Sequence, residues 1–118
     1  MVTGHYRLPK TCLLRKNQEF DQVYSKGRRL HGKGFSLIYA DSSVDWNRLG
    51  ISVRKKTGRA VDRNRIKRII REAFRLHRES FPKKSDIVVT VRPGFSLRSP
   101  AEVLSAVVRL LRADGRTA

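Results

Sequence analysis

From Arg54 to Arg75 the chain reads RKKTGRAVDRNRIKRIIREAFR, with Lys or Arg at ten of those 22 positions and Asp62 and Glu72 as the only acids. Like charges four residues apart on a helix repel by about 0.2–0.5 kcal/mol per pair, so folding stability does not account for the run. Phosphate chemistry does. Between Arg63 and Arg75 the cations are Arg63, Arg65, Arg68, Arg71 and Arg75 against Lys67 alone, and the guanidinium fork makes bidentate contacts to phosphate that an ammonium does not. Just upstream, Arg54, Lys55, Lys56 and Arg59 surround Gly58 where a strand end passes into a helix start. Backbone amides at a helix N-terminus also bind phosphate. Loop and helix together read as one polyanion-binding surface. The other reading is a solvated cationic face, and the scarcity of acids at i,i+4 spacing argues against it.

A second set of residues is aromatic. Phe20 and Tyr24 fall four apart in a helical pattern, and Phe35, Leu37 and Tyr39 share one face of a strand by period two. Rings left exposed in a groove between helix and sheet would stack on unpaired bases, at about 1 to 3 kcal/mol per base. By spacing alone these rings read as core. Trp46, in a polar loop, is either a contact residue or a loop anchor.

Side chains suited to catalysis do not converge. His5, His31 and His77 lie in unrelated contexts, and no carboxylate pair accompanies a His at metal-ligand spacing. His77 reads as a helix-packing histidine. Cys12 is the single cysteine; it has no disulfide or metal partner and reads as a buried thiol.

The elements that must position these residues follow from periodicity. Residues 1–15 read as an irregular lead-in. Asn17 reads as the N-cap of a short amphipathic helix carrying Phe20, Val23 and Tyr24, closed by Gly27. Phe35–Ala40 and Arg48–Arg54 have strand character around the turn-forming loop DSSVDWN, and an antiparallel pair is the simplest arrangement. A short strand around Arg29–His31 precedes them. Asp62 or Val61 opens the main helix, whose stripe is Ile66, Ile69, Ile70, Ala73, Phe74 and His77. That stripe turns Asn64, Arg68, Arg71 and Arg75 outward, with Arg65 and Lys67 on the flanks. Asp86–Arg92 reads as a buried strand, and Pro100 starts a last helix with Val103, Leu104, Val107, Val108 and Leu111 inside. The order α-β-β-β-α-β-α predicts an α+β fold: one domain over 1–118, a mostly antiparallel sheet packed with helices, and a flexible tail at 114–118.

The chain of 118 residues carries 27 Lys and Arg against 10 Asp and Glu, a net charge of +17 with a pI near 11.4. Its natural partner is a polyanion. Nucleic acid is favoured over a membrane, because no apolar run approaches the roughly 18 residues of a spanning helix and the start lacks the apolar region of a signal peptide. Cytoplasm is the expected compartment.

Gly50 to Arg75, with Arg63, Asn64 and Arg65 as its RNR element, resembles the signature of the bacterial ribonuclease P protein subunit. LRKNQEFDQVYSKGRR is similar to that family's first helix, FSLIYA to its second strand, and SDIVVTVRPG to its fourth strand and the following loop. The resemblance implies a compact α+β fold with a left-handed βαβ crossover, where general rules favour the right-handed form. It implies a protein that partners a catalytic RNA, with the complex cutting the 5′ leader from precursor tRNA and Mg²⁺ held mainly by the RNA. No membrane and no further protein partner are implied. Arg59, Arg63, Asn64, Arg65, Lys67, Arg68 and Arg71 would meet the catalytic RNA. Ser52, Lys55 and Lys56 would lie near the cleavage region, and Phe20, Tyr24 and Phe35 would line a cleft for the leader. Tyr24 stands where some members have Phe, and Arg54 where many have a small residue. A non-enzymatic basic RNA-binding protein of ribosomal type is the alternative.

Overall fold

The hydrophobic run DIVVTV is buried on both faces, which is the pattern of a strand at the centre of a sheet with other elements covering both sides. The computed structural model describes residues 8–115. In chain order it contains α1 (Asn17–Lys26), β1 (Arg28–Gly32), β2 (Phe35–Asp41), β3 (Arg48–Val53), α2 (Ala60–Leu76), β4 (Ser85–Val91) and α3 (Pro100–Ala113), with short 3₁₀ turns at Lys10–Cys12, Lys55–Thr57 and Arg78–Ser80.

The sheet order is β1-β2-β4-β3. β1 pairs antiparallel with β2, and β2 antiparallel with β4, whereas β3 pairs parallel with β4. The antiparallel pairing of residues 35–40 with 48–54, the simplest reading of their closeness in sequence, does not form. β4 takes the place between them because its Ile87, Val88, Val89 and Val91 are all at most 2% exposed and need partners on both edges and both faces. β3 goes to the rim, and α2 becomes the crossover of a βαβ unit.

Two hydrophobic clusters flank the sheet. On one face Phe35, Leu37, Tyr39, Leu49, Ile87, Val89 and Val91 pack against Ile69, Ile70, Ala73 and Phe74 of α2 and Val103, Val107 and Leu111 of α3. On the other, Ile38 and Val88 meet Leu14 and Val23, with Phe20 and Tyr24 partly buried beside them. Alternation along each strand divides its side chains between the two clusters.

Several local expectations are revised. α1 begins at Asn17, so the cap is not the Asn17 side chain: Glu19 reaches back to accept from the backbone N–H of Arg15 at 2.9 Å and Lys16 at 3.0 Å. Gly27 does end α1, but with φ of −80°. Its requirement is space, since a Cβ there would sit 2.4 Å from the Val23 carbonyl oxygen and 2.7 Å from Ile38 Cγ2. His77 caps the end of α2 without packing into the core; its side chain is 44% exposed. The lead-in, within its described residues, is ordered along the β3 edge. Leu14 N–H donates to the Leu49 carbonyl at 2.8 Å and Leu13 bridges Leu49, which shields part of that edge. Residues 1–7 and 116–118 of the expected lead-in and tail lie outside the described residues. Asp114, expected in the tail, instead accepts from Arg28 Nε at 2.8 Å and from the Tyr39 hydroxyl at 3.1 Å.

Candidate nucleic-acid interface

α2 is amphipathic because its apolar positions recur at 3.6-residue spacing. Once Ile69, Ile70, Ala73 and Phe74 are buried, Asn64, Arg65, Arg68 and Arg71 are left exposed, with Lys67 half-buried at the flank. The exposed side chains stand clear of acidic partners. Arg75, expected on that outer face, is turned aside: its guanidinium is ion-paired with Glu72 three residues earlier, Nε donating to Oε2 at 3.0 Å. Arg63 is also held. Its Nη1 donates to the Gly58 carbonyl at 2.7 Å, fastening the Lys55–Thr57 turn to the helix it precedes. Arg59 sits at the N-cap position, highly exposed, and its backbone N–H donates to Asp62 Oδ2 at 3.1 Å. Lys55 and Lys56 are exposed on the turn that follows β3.

Across β3 from α2 lies α1. Gly50 of β3 is the reason the helix comes so close, for a Cβ there would lie 2.6 Å from Phe20 Cζ and 3.0 Å from Leu14 Cβ. Phe20 therefore rests on β3. Tyr24, one turn on, reaches β4, where its hydroxyl shares a 3.2 Å hydrogen bond with Thr90 Oγ1. Ser52 is the sheet neighbour of Thr90. An open groove of about 590 Å³ runs between these elements, lined by Phe20 and Tyr24 from α1, Ser52 from β3 and Lys67 from α2, with Arg15, Asn17 and Asp21 also on its wall. A second depression of about 310 Å³ continues along the β3 edge and shares Arg15, Ile51 and Lys67 with it. Half-buried rings, hydroxyls on the floor and cations on the wall are the components of a single-strand nucleic-acid site: π-faces for bases and positive charge for the backbone.

Phe35 does not join this groove. It is 4% exposed and lies on the opposite face of the sheet, in the α2–α3 core and edge-to-face with Phe95 at a centroid distance of 6.1 Å. Period two explains the difference: Ser36 and Ile38 point to the α1 face, so Phe35 cannot. Sequence reasoning missed Thr90, whose signal is a single hydroxyl inside an otherwise apolar strand. It also missed Arg15, which nothing local distinguishes from other surface cations. Trp46 anchors its loop, its Nε1 donating to the Thr11 carbonyl at 3.0 Å. Among the described residues, no group of three His, Cys, Asp or Glu stands together as a metal site, and no helix is long and apolar enough to cross a membrane.

The family model for Ribonuclease P matches residues 8–113. The chain belongs to the ribonuclease P protein family. It is 63% identical over 102 residues to the ribonuclease P protein component of Desulfotalea psychrophila, covering 86% of this chain and 85% of that protein. It is 41% identical to the component from Syntrophus aciditrophicus, with 81% of each chain covered. Among solved structures, the Staphylococcus aureus RNase P protein superposes with a TM-score of 0.78 at 32% identity, over 92% of this chain and all of that one. The Thermotoga maritima RNase P protein gives 0.73 at 33%, over 85% and 94%. The α+β fold with its four-stranded mixed sheet and three helices is that of ribonuclease P proteins. As a ribonuclease P component, the chain has an RNA partner and belongs to a tRNA-processing endoribonuclease.

Proposed function

We propose that this ribonuclease P protein binds the catalytic RNA through the outer face of α2 and the 5′ leader of precursor tRNA through the groove between α1 and β3, while the RNA performs the cleavage. The observation that carries this reading is the shared groove. Phe20 and Tyr24 on one wall and Lys67 of the basic helix on the other enclose Ser52, so a strand lying there is held beside the surface that meets the RNA. Asn64, Arg65, Arg68 and Arg71 supply donors to phosphates of the catalytic RNA, and Lys55, Lys56 and Arg59 extend that surface past the end of β3 toward the cleavage region. Arg63 contributes by holding the Lys55–Thr57 turn in place.

Physically, a protein carrying +17 offsets repulsion between two RNA chains, and it does so most where its cations are unpaired. The rings add affinity for leader bases without demanding a sequence, because every base has a π-face. Mg²⁺ in this reading stays with the RNA. The carboxylates nearest the groove, Asp21 and Glu19, are a lone exposed side chain and one already spent on the α1 cap, which does not make a donor set for a divalent cation.

The test is leader removal from a labelled precursor tRNA, with a bacterial ribonuclease P RNA at low Mg²⁺ and near-physiological salt. Cleavage requiring both components is the expected result. Tight RNA binding with no cleavage by the mixture would instead indicate a plain RNA-binding module.

A further inference from the structure

Past Tyr24, the α1 face of the sheet carries a polar row. Four residues in lateral register cross the whole sheet on the α1 face: Ser52 of β3, Thr90 of β4, Ser36 of β2 and His31 of β1. With strands about 4.8 Å apart, the row spans about 14 Å. α1 covers the neighbouring row, where Gly50 meets Phe20 and Val88 and Ile38 meet Val23. In the polar row α1 contributes the Tyr24 hydroxyl on Thr90.

At the far end of the row the side chains are held in a fixed chain. Arg92 Nη1 donates to Ser36 Oγ at 2.9 Å while its Nη2 donates to the Gly32 carbonyl at 3.1 Å, and Ser36 Oγ shares a 3.0 Å hydrogen bond with His31 Nδ1. Ser36 is 4% exposed, yet His31 is exposed. With Nδ1 engaged by Ser36, the ring is oriented through one nitrogen and Nε2 remains for an external partner. Arg29, two residues before His31 on the same strand face, places its guanidinium carbon 5.7 Å from the centroid of the Tyr24 ring. A cation over the last aromatic of the groove and an oriented imidazole next to it are more than hairpin packing requires, since the Arg92 backbone N–H already ties Gly34 O at 3.0 Å.

We propose that His31 and Arg29 form a second contact for the leader, on a backbone phosphate upstream of the bases that stack on Phe20 and Tyr24, with Ser36 and Arg92 as positioning residues for His31. This rests on the leader reading of the groove and assigns it a direction: the leader runs from Ser52 and the β3 end, over Phe20 and Tyr24, to β1. The contact is reached only by a leader long enough to cross the sheet, so it makes the protein discriminate by leader length.

The experiment uses holoenzyme reconstituted with a bacterial ribonuclease P RNA and precursor tRNAs carrying leaders of about two or about ten nucleotides. Dissociation constants are measured for the wild type, His31→Ala, His31→Gln, Arg29→Ala and Phe20→Ala, with thermal melting of each free protein to establish folding. For the long leader, His31→Ala and Arg29→Ala should each weaken binding by about fivefold to tenfold, the net scale of one hydrogen bond made in competition with water. For the short leader they should change nothing, and His31→Gln, which keeps an N–H donor, should recover part of the loss. Equal losses on both leaders, or none on either, would overturn the distal contact while leaving the groove intact if Phe20→Ala still weakens binding. Leader-independent binding by the wild type, unaffected by Phe20→Ala, would overturn the leader reading and the distal contact together.

Discussion

Glu19 shows how one carboxylate can set up a binding wall without touching a ligand. The amides of Lys16 and Arg15 donate to it, and with Arg48 3.6 Å away they hold its carboxyl below the ordinary glutamate range. It thereby starts α1 at the turn that presents Phe20. Because the folded-state value is the lower one, this contribution is complete above the unfolded Glu value of about 4.3 and is lost as pH falls through the folded value. Glu19→Ala should cost about 1 kcal/mol near neutral pH, the scale of a lost cap, and the difference in thermal midpoint from wild type should narrow in acid. A gap that stays constant from neutral to acid pH would show that the charge is not what matters. Arg48 is the second such residue: it forms a paired contact with Asp86, Nε to Oδ1 and Nη2 to Oδ2, both at 2.8 Å, joining β3 to the buried start of β4. Arg48→Met leaves Asp86 without that partner and should destabilise by about 2 to 3 kcal/mol, read as a lower urea midpoint with an unchanged slope.

At the scale of elements, the groove depends on how closely α1 approaches β3, and Gly50 sets that distance. In Gly50→Ala the new Cβ collides with the Phe20 ring and with Leu14 Cβ. The ring, half-buried, swings outward more easily than the strand moves. Leader affinity should therefore fall about as far as in Phe20→Ala, with a stability loss of about 1 to 3 kcal/mol, while affinity for the catalytic RNA is kept. Unchanged leader binding in a folded Gly50→Ala protein would show that the position of Phe20 is not decisive. α2 has a different logic. Its outer face needs only exposure and charge, so its residues are legible from a helical wheel. Arg75 departs from that reading because a wheel carries no information about neighbours, and it pairs with Glu72; Arg63, which the resemblance put on the RNA surface, finds the Gly58 carbonyl.

For the whole molecule, the two surfaces proposed for RNA, on either side of β3, should separate functionally. Arg68→Ala should weaken assembly with the catalytic RNA by about 1 to 3 kcal/mol and reduce the salt dependence of that step. Phe20→Ala should act mainly on leader-bearing substrate, and the double variant should show nearly additive losses, as distant sites do. Filter binding at two salt concentrations distinguishes the surfaces, and interchanged effects would refute their assignment. The sequence alone determined the partner class, the element order, the apolar stripes of α2 short of His77 and of α3, and the outward cations of α2 short of Arg75, because charge, period and turn residues are local properties. The strand read at 86–92 forms one residue earlier, at 85–91. Only the tertiary structure decided that β4 lies between β2 and β3, that Phe35 belongs to the core face and that Ser52, Thr90, Ser36 and His31 stand in one row. Pairing and register are contacts between segments far apart in the chain. They are chosen by which strand must be buried on both edges, and no local pattern encodes that choice.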